Sequence, residues 1–363
     1  MTQMMNKNKT GIITFNKAHN YGAVMQAYAL QYKLNSLGYD VSFINSNNEI
    51  DKKYRLIPDY KKLGVKNFIR YIVRLILNYN RITKRYIGFH NFIKKYLSSI
   101  DITENKFEFK NVVLGSDQIW NPNITKGYDP IYFGIHPNLV CDNVISYAGS
   151  MGNGMEDKNF NNEFLSKLNT LKAIGVREPS LAEAIENHFS LEPVINLDPT
   201  LLLNKEEWAQ VTSEKYNNEK YILVYEVEKN KLTPDVLDLL KNRFNLSVKV
   251  ISSKISMSVP KDYVTTASPE DFLSLFLNAT FVVTSSFHGT VFSIINNKPF
   301  YTMKFNNGVD LRSAGLLKSV GLSDRHIDSL EQATLEDIDF SIVETKLNDL
   351  REKSVDYLTS SLV

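Results

Sequence analysis

The sequence predicts an α/β fold in which strands and helices alternate along the chain in two successive series. Short apolar runs typical of buried strands recur between stretches that have the apolar spacing of helices. The 363 residues leave room for about two domains of ordinary size. With 43% hydrophobic and 23% charged residues, the composition is that of a folded globular protein.

The first series opens with a strand at 10–16, a helix at 23–37 that ends at Gly38, and a strand at 41–45. A strand, a helix and a strand in this order favour a right-handed crossover and a parallel sheet. The series continues with strands at 111–114, 143–148 and 173–177, a helix that begins at Pro179, and a closing Asp-Pro turn within 197–203.

The second series begins with an apolar strand at 221–227. It continues with helices at 232–244 and 268–276, strands at 247–252 and 281–284, and a helix that begins at Val291. Two series of similar size predict two Rossmann-like domains, at 1–205 and 206–340, whose mainly parallel sheets face a central cleft. We expect a last helix, within 341–363, to pack back on the first domain.

Net charge and cysteine content exclude several classes of protein. A net charge of +2 is too balanced for broad nucleic-acid binding. The single cysteine, Cys141, cannot form an internal disulfide, and no Cys/His cluster has the spacing of zinc ligands, so we expect no metal. The first residues lack the apolar core of a signal peptide, and no apolar segment approaches the roughly 20 residues that cross a bilayer. We therefore expect a cytoplasmic protein.

Positive charge is concentrated in residues 52–95, which hold thirteen Lys/Arg and one acidic residue, Asp59. This stretch carries +12 and the rest of the chain −10. Its cations alternate with aromatic and aliphatic residues at helical spacing. Such a stretch either places basic helices on an anionic membrane or a lipid-linked phosphate, or forms the solvated face of ordinary core helices.

A polar segment, TSSFHG at 284–289, separates the apolar strand at 281–284 from the following helix. Such strand-to-helix turns lie at the carboxyl edge of a parallel sheet, where ligands bind, and the N–H groups of a helix start attract anions. The candidate ligand-binding residues are Ser285, Ser286, His288, Gly289 and Thr290. Arg312 lies near enough in sequence to share the same site.

Two turns of the first series also carry candidate residues. The first strand-to-helix turn holds His19, Asn20 and Tyr21 but lacks the GxGxxG spacing of a dinucleotide site, and His19 is either a ligand contact or an ordinary capping or loop residue. The segment LGSDQIWNP at 114–122 groups Ser116, Asp117 and Gln118 at one strand end, and Asp117 is either a general base for a sugar hydroxyl or the cap of an Asx turn.

Arg177 ends the apolar run at 173–177. A guanidinium at this position can bind a carboxylate or phosphate through two parallel hydrogen bonds. The alternative is a structural ion pair with Glu178 or Asp198, and spacing alone does not decide between the two.

Seven segments occur in an order that resembles the polysaccharide pyruvyl transferase family: NYGAVMQAYAL, VLGSDQIWNP, ISYAGSMG, GVREPS, LDPTLLL, VTSSFHGTVFSIINNKPF and LRSAGLLKSVGL. The resemblance runs from about residue 11 to 325. It implies a GT-B-like fold and no metal or nucleotide cofactor. It also implies the transfer of pyruvate from phosphoenolpyruvate to a saccharide, usually as a cyclic ketal, for cell-envelope polysaccharide.

The resemblance also implies roles for individual residues. In the family an arginine resembling Arg177 and a histidine resembling His288 hold the donor. Members often carry arginine at the position of Ser286, so another cation must meet the phosphate here, with Arg312 the first choice. We expect the donor on the second domain, and an acceptor, lipid-linked or nucleotide-linked, on the first at Asn20, Tyr21, Ser116, Asp117 and Gln118. His288, Asp117 and His19 are the expected catalytic residues.

Two other functions are compatible with the sequence. A GT-B glycosyltransferase would hold a nucleotide-sugar donor at the 284–290 turn, with Asp310 available for the ribose hydroxyls. A non-catalytic module would bind a phosphate or saccharide without turnover. The serine at 286, where the family often has arginine, is compatible with such a module.

Overall fold

The structure is a computed structural model that describes residues 9–46, 50, 53–57, 61, 64–307 and 310–362. Within these residues the strands in chain order are β1 Lys9–Ile13, β2 Asp40–Asn45, β3 Ser99–Asp101, β4 Phe107–Leu114, β5 Leu139–Ser146, β6 Gly175–Val176, β7 Val194–Ile195, β8 Tyr221–Tyr225, β9 Ser247–Ile251, β10 Phe281–Thr284, β11 Phe300–Met303 and β12 His326–Ile327.

The α-helices in chain order are α1 Tyr21–Ser36, α2 Val65–Leu77, α3 Tyr79–Tyr96, α4 Pro122–Thr125, α5 Asn162–Leu168, α6 Pro179–Phe189, α7 Lys205–Ala209, α8 Thr233–Phe244, α9 Pro269–Asn278, α10 Phe287–Ile295, α11 Leu311–Val320 and α12 Phe340–Ser361. The described residues form two compact units. The first unit takes those within 1–54, 93–203 and 348–363, and the second takes those within 55–92 and 204–347.

The first unit is built on a five-stranded parallel sheet in the order β3-β2-β1-β4-β5, and β6 and β7 form a separate parallel pair. The apolar ends of β1 and β4 are fully buried, as expected for strands of a parallel sheet that is covered on both faces. Trp120 lies in an aromatic cluster with Phe133 and Phe164, and its indole N–H donates to the carbonyl of Tyr132 at 3.1 Å. This packing fixes the segment that follows β4.

The second unit is built on another five-stranded parallel sheet, in the order β12-β11-β10-β8-β9. Its strands β8 and β10 consist of buried residues throughout, as expected for strands of a parallel sheet that is covered on both faces. The carboxyl ends of β8 and β10 lie side by side, since Val283 and Thr284 pair with Val224 and Tyr225. Turns that leave these two strands are therefore neighbours.

The expected boundary of the first domain, 1–205, does not match the observed partition, because the described residues within 55–92 group with the second unit. Three arginines of α2 and α3 account for this: Arg74 donates to the carbonyl of Ile255 at 3.0 Å, Arg81 to that of Pro260 at 3.3 Å and Arg85 to that of Ser253 at 2.8 Å. These bonds attach the two consecutive helices, α2 and α3, to the loop after β9. Lys52, Asp59 and Lys62 of the basic stretch lie outside the described residues.

The last helix, α12, crosses from one unit to the other, and its final residues, from Asn348, group with the first unit. Tyr357 donates to the carbonyl of Ser146 at 2.8 Å, and Arg351 donates to that of Leu201 at 2.7 Å. Ser354 accepts a hydrogen bond from the N–H of Leu197 at 3.0 Å. The end of the chain therefore covers the region between β5 and the turn that follows β7.

The helix expected to begin at Val291 begins four residues earlier, at Phe287. Ser286 is its N-cap, with an extended backbone of φ −104° and ψ 135°. The amphipathic spacing starts only at Val291, so the first helical turn does not register in the apolar pattern. As a result His288 and Gly289 belong to the first turn of a helix rather than to a loop.

Candidate functional site

Ser116 is hydrogen-bonded to the segments that follow β1 and β5 and to helix α1 of the first unit. Its hydroxyl donates to the carbonyl of Ala148 at 3.0 Å, its N–H donates to Gln26 Oε1 at 3.1 Å, and its carbonyl accepts from Thr14 Oγ1 at 2.8 Å. The residue is fully buried. The expected contact between the Ser116 hydroxyl and an acceptor therefore needs correction: in this structure the hydroxyl has a structural partner and does not reach the surface.

Asp117 follows at the edge of the sheet and is half-buried. Its φ of 76° lies in the left-handed region, which non-glycine residues adopt rarely and mostly at ligand sites and tight turns. Its carboxylate accepts the N–H of Gln118 at 2.8 Å, and its backbone carbonyl accepts the N–H of Ser150 at 3.1 Å. The Asx-type bond expected as the alternative is present, and it leaves the second carboxylate oxygen for other contacts.

Arg177 is the centre of a buried ionic network. Its Nε donates to Glu178 at 3.1 Å, its Nη1 to Asp198 at 2.9 Å and its Nη2 to the hydroxyl of Ser150 at 3.0 Å. The side chains of Arg177, Glu178 and Asp198 are 4%, 8% and 0% exposed. Burial alone would lower the pKa of Arg177, but the carboxylates of Glu178, Asp198 and Asp117 outweigh it and raise that pKa.

The structure thus shows the ion-pair alternative for Arg177. Each nitrogen of the guanidinium donates to an oxygen of the first unit, so the group acts as a cross-link between β6, the segment after β5 and the turn at Asp198. The contribution of Asp117 to the pKa of Arg177 also indicates that the network extends towards the segment after β4. A direct contact between Arg177 and the donor stays a prediction.

The first strand-to-helix turn places its candidates in different environments. Asn20 is the exposed N-cap of α1, and its side chain accepts the N–H of Ala23 at 3.2 Å. His19 is half-buried, with its ring 5.9 Å from that of Tyr54. Tyr21 is buried. The capping role expected as one alternative for His19 therefore belongs to Asn20, and the buried Tyr21 offers no surface to an acceptor.

The turn after β10 is fastened to the end of β8 by hydrogen bonds. Thr284 Oγ1 donates to the carbonyl of Tyr225 at 2.6 Å and accepts the N–H of Ser286 at 3.0 Å. Ser285 donates through its hydroxyl to the carbonyl of Glu228 at 2.9 Å. The side chain of Ser286 makes no capping bond, and its hydroxyl is hydrogen-bonded to that of Tyr225.

His288 is the second residue of α10, is half-buried, and has its ring 5.2 Å from that of Phe287. The guanidinium of Arg312 lies over the same Phe287 ring, 5.6 Å from its centre. The structure therefore brings Arg312 to the residue that separates Ser286 from His288, as the sequence suggested. Thr290 needs correction as a donor ligand, because it is fully buried and its hydroxyl pairs with that of Thr302 at 2.7 Å.

Gly289 permits close contact between α10 and β10. A Cβ at this position would meet Thr284 Oγ1 and would lie 2.8 Å from Thr284 Cβ. We expect Gly289→Ala to lower the free energy of unfolding by about 1–3 kcal/mol, because it forces the helix away from the strand end. Gly315→Ala on α11 is the control: its Cβ would meet nothing within 4 Å, and alanine favours a helix by about 1 kcal/mol. Equal unfolding midpoints for the two variants in urea would contradict this packing.

Two polar residues near this turn were not found from the sequence. Glu226 directly follows β8, and its Oε1 accepts the N–H of Asn230 at 3.1 Å and the hydroxyl of Thr233 at 2.6 Å. Burial raises the pKa of Glu226 even though these bonds favour the carboxylate. Its position immediately after an apolar strand was the signal that could have identified it.

The second residue is Arg85 of α3. Besides its bond to Ser253, it acts electrostatically on Tyr225, whose hydroxyl is hydrogen-bonded to Ser286. Burial raises the pKa of Tyr225 to about 12, while the charge of Arg85 opposes that rise. Arg85 thus brings a positive charge to the end of β8, next to the turn in which Ser286 supplies none. Spacing could not show this, because the two residues are far apart in the sequence.

Asp310 caps the backbone before α11. Its carboxylate accepts the N–H groups of Phe305 at 3.0 Å and Asn306 at 2.7 Å. These bonds occupy the carboxylate that a nucleotide-sugar enzyme would need for ribose. Gly308 and Val309 of the same segment lie outside the described residues.

Among the residues that the structure describes, no group of three or more His, Cys, Asp and Glu side chains could hold a metal ion. In the same residues no helix has the length and apolar character needed to cross a membrane.

Comparison with known proteins identifies a family and a fold. The family model for polysaccharide pyruvyl transferase matches residues 20–306. No curated protein matches the sequence at a significant level. A UDP-N-acetylglucosamine 2-epimerase structure aligns with a TM-score of 0.50 and 10% identity, over 98% of this chain and 96% of that chain. Together with the two parallel sheets, this likeness confirms a GT-B-like α/β fold.

Two further structures align less well. The Methanocaldococcus jannaschii UDP-GlcNAc 2-epimerase in complex with UDP-GlcNAc and UDP has a TM-score of 0.45 and 13% identity, over 97% of this chain and 99% of that chain. The E. coli heptosyltransferase WaaC with ADP has a TM-score of 0.40 and 10% identity, over 94% and 99% of the two chains.

Proposed function

Because this chain belongs to the polysaccharide pyruvyl transferase family, we propose that it moves the pyruvyl group of phosphoenolpyruvate to a saccharide and forms a cyclic ketal. The observation that carries the proposal is the turn between β10 and α10, where a helix start, His288 and the cation of Arg312 lie together, while the hydroxyls of the buried Ser285 and Ser286 are bonded within the protein. The donor needs such a site, because its phosphate and carboxylate carry about three negative charges at neutral pH.

The phosphate of the donor binds at the first turn of α10. The N–H groups there and the positive end of the helix favour an anion, His288 adds a hydrogen-bond donor, and Arg312 adds a fixed positive charge. Arg85 contributes a second fixed charge near Tyr225 and Ser286, in place of the arginine that family members often carry at the position of Ser286. This charge stabilises the phosphate as negative charge gathers on it in the transition state.

In the proposed reaction two hydroxyl groups of the saccharide add to the same carbon of the donor, and phosphate leaves. An acid donates a proton to the methylene carbon of phosphoenolpyruvate, and a saccharide hydroxyl, which loses its proton to a base, forms a bond to the adjacent carbon. The carbon–oxygen bond to phosphate then breaks, and phosphate leaves with the electron pair. A second hydroxyl of the same sugar adds to that carbon and releases its proton, which closes the ketal.

Glu226 is our candidate for the acid. The segment that contains Glu226 is bonded to the turn after β10. Ser285 of that turn donates through its N–H to the carbonyl of Tyr225 at 3.3 Å and through its hydroxyl to the carbonyl of Glu228 at 2.9 Å. Because burial raises the pKa of Glu226, this carboxyl keeps its proton to higher pH than an exposed glutamate does.

We expect Glu226→Gln to lower kcat by at least about 100-fold with little change in KM for phosphoenolpyruvate, because glutamine can accept the same hydrogen bonds but cannot give a proton. In the wild type, kcat should fall as pH rises through the pKa of Glu226. Initial rates of phosphate release across pH test both expectations. A variant whose KM rises while kcat is unchanged would contradict the role of an acid.

Protein stability provides the control for this variant. A carboxyl whose pKa is raised in the folded state stabilises the fold below its ordinary pKa, and that stabilisation is lost as pH rises through the raised pKa. Glutamine does not ionise. The variant should therefore unfold at the same temperature as the wild type at low pH and at a higher temperature near neutral pH, so a loss of activity would not reflect a loss of folding.

On the first unit we propose that the acceptor contacts Asp117, His19, Asn20 and Gln118, with Asp117 as the base that takes the proton of the attacking hydroxyl. The acceptor is a saccharide carried on a nucleotide or on a membrane lipid. We propose that the protein works in the cytoplasm, where the donor is made, and at the inner face of the membrane when the acceptor is lipid-linked.

The test is phosphate release from phosphoenolpyruvate with a panel of nucleotide-linked and lipid-linked saccharides, followed by mass spectrometry of the saccharide. We expect release that depends on one acceptor, and a product that gains one acid-labile pyruvyl group. Transfer of a sugar from a nucleotide-sugar to the same panel, without any use of phosphoenolpyruvate, would overturn the proposal.

A further inference from the structure

Helix α2 carries an apolar face that the described part of the chain leaves uncovered. Val65, Ile69, Val73 and Ile76 are 69%, 56%, 50% and 69% exposed. At 3.6 residues per turn these four side chains fall within about 80° of arc, so they form one stripe. Aliphatic residues on a surface are common singly, but a contiguous stripe marks a site of interaction.

The opposite face of α2 holds the helix on the second unit. Tyr71 and Arg74 lie on that face, and Phe68, Ile72 and Leu75, which lie between it and the stripe, are half-buried. Arg74 donates to the carbonyl of Ile255 at 3.0 Å, and the hydroxyl of Tyr71 donates to that of Leu56 at 2.6 Å. These contacts fix the rotation of the helix about its axis, and the apolar stripe faces away from the unit as a result.

Positive charge borders the stripe. Lys66 and Arg70 are exposed and follow the stripe along one side of the helix. Lys84 on α3 is also exposed. No acidic residue occurs between Asp59 and Asp101. The described residues of α2 and α3 therefore present an apolar stripe together with charged side chains that are all positive.

We propose that α2 lies on the surface of an anionic lipid bilayer, with its apolar stripe among the headgroups and Lys66 and Arg70 at the lipid phosphates. A helix of 13 residues is too short to span a bilayer but suits an interfacial position. A second copy packed stripe against stripe is a poor occupant, because it would bring equally positive helices to the same face. The inference goes beyond the proposed reaction, since the helix binds lipid whether or not an acceptor is present.

Vesicle flotation of the full-length protein tests the proposal. We expect the protein to float at low salt with vesicles of phosphatidylglycerol and phosphatidylethanolamine, and to stay at the bottom with phosphatidylcholine alone. Lys66→Gln with Arg70→Gln should weaken the partitioning about fivefold for each charge removed. Ile69→Gln with Ile76→Gln should weaken it by at least about tenfold, because the apolar contact is lost.

The matched control carries Ile342→Gln and Lys353→Gln on α12, an exposed aliphatic residue and an exposed cation away from the stripe. It should float as the wild type does. All three variants should keep the unfolding temperature and the phosphate release with a nucleotide-linked acceptor, since exposed substitutions change stability by about 0.5 kcal/mol or less.

Three results would overturn the inference. The first is a wild-type protein that does not float with anionic vesicles at low salt, and the second is a stripe variant that floats as well as the wild type. The third is a wild-type dimer in sedimentation velocity that Ile69→Gln with Ile76→Gln converts to a monomer, because the stripe would then be covered by a second copy. None of these results depends on the pyruvyl transfer reaction, so each is distinguishable from a failure of the proposed function.

Discussion

Arg177→Ala is expected to lower the free energy of unfolding of the first unit by roughly 3–5 kcal/mol. The change removes three hydrogen bonds at once and leaves the carboxylates of Glu178 and Asp198 buried without their positive partner. An unpaired buried charge costs more than the ion pair itself contributes. Scanning calorimetry should show a lower transition temperature for the variant.

Arg351→Ala is the control for this change. Arg351 also belongs to the first unit, but it is only half-buried. It donates to two neutral groups, the carbonyl of Leu201 and the side chain of Asn348, each at 2.7 Å. Its loss should cost about 0.5–1.5 kcal/mol. If Arg177→Ala instead kept the wild-type transition temperature and raised KM for phosphoenolpyruvate, the guanidinium would be a donor ligand and the structural account of it would be wrong.

His288→Ala is expected to lower kcat/KM for phosphoenolpyruvate by about 10³-fold, because in the proposed reaction it removes a hydrogen-bond donor from the leaving phosphate. The fold should persist, since the histidine is half-buried in the first turn of α10 and the helix is held by Ser286, Thr290 and the apolar residues beyond. Steady-state phosphate release at saturating acceptor measures the effect.

His90→Ala is the matched control for this measurement. His90 belongs to the same unit, is exposed on α3 and stacks on Tyr86 with ring centres 6.0 Å apart. Its replacement should leave kcat/KM unchanged. Wild-type activity in His288→Ala would remove the turn after β10 from the reaction.

The alternation of strands and helices could be predicted from the sequence because each central strand is a continuous apolar run. Tyr221–Tyr225 and Phe281–Thr284 are buried along their whole length, and such runs are distinctive. The strands β3 and β12 have three and two residues and are defined by their edge pairing, so their composition gives no comparable signal.

Assignment of residues 55–92 to a unit depends on bonds that spacing does not encode. Arg74 and Arg85 donate to carbonyls of the loop after β9 and so hold α2 and α3 on the second unit. The apolar pattern of these helices would be the same on either unit. The pattern did predict an amphipathic and basic segment. The exposure of Ile69 and Ile76 identifies which apolar side chains of that segment lie on the surface.

The positions of the candidate residues could be predicted from the sequence, but their hydrogen-bond partners could not. Polar residues at the ends of strands could be located from the sequence, because parallel strands bring their carboxyl ends to one edge. The sequence could not show which hydroxyl or charged groups already have a partner within the protein. Ser116 contacts Ala148, and Arg177 contacts Asp198, only once the chain is folded. The guanidinium of Arg312 lies over the ring of Phe287, beside His288, and its role as a donor ligand stays a prediction.

The central claim is that the turn after β10 in the second unit binds phosphoenolpyruvate. Amide hydrogen exchange of residues 284–295, with and without saturating phosphoenolpyruvate, tests it most directly. We predict slower exchange in this segment for the wild type and a much smaller change for Arg312→Gln, with no change when UDP replaces phosphoenolpyruvate. Protection of the segment by UDP, and none by phosphoenolpyruvate, would contradict the account and would favour a nucleotide-sugar donor.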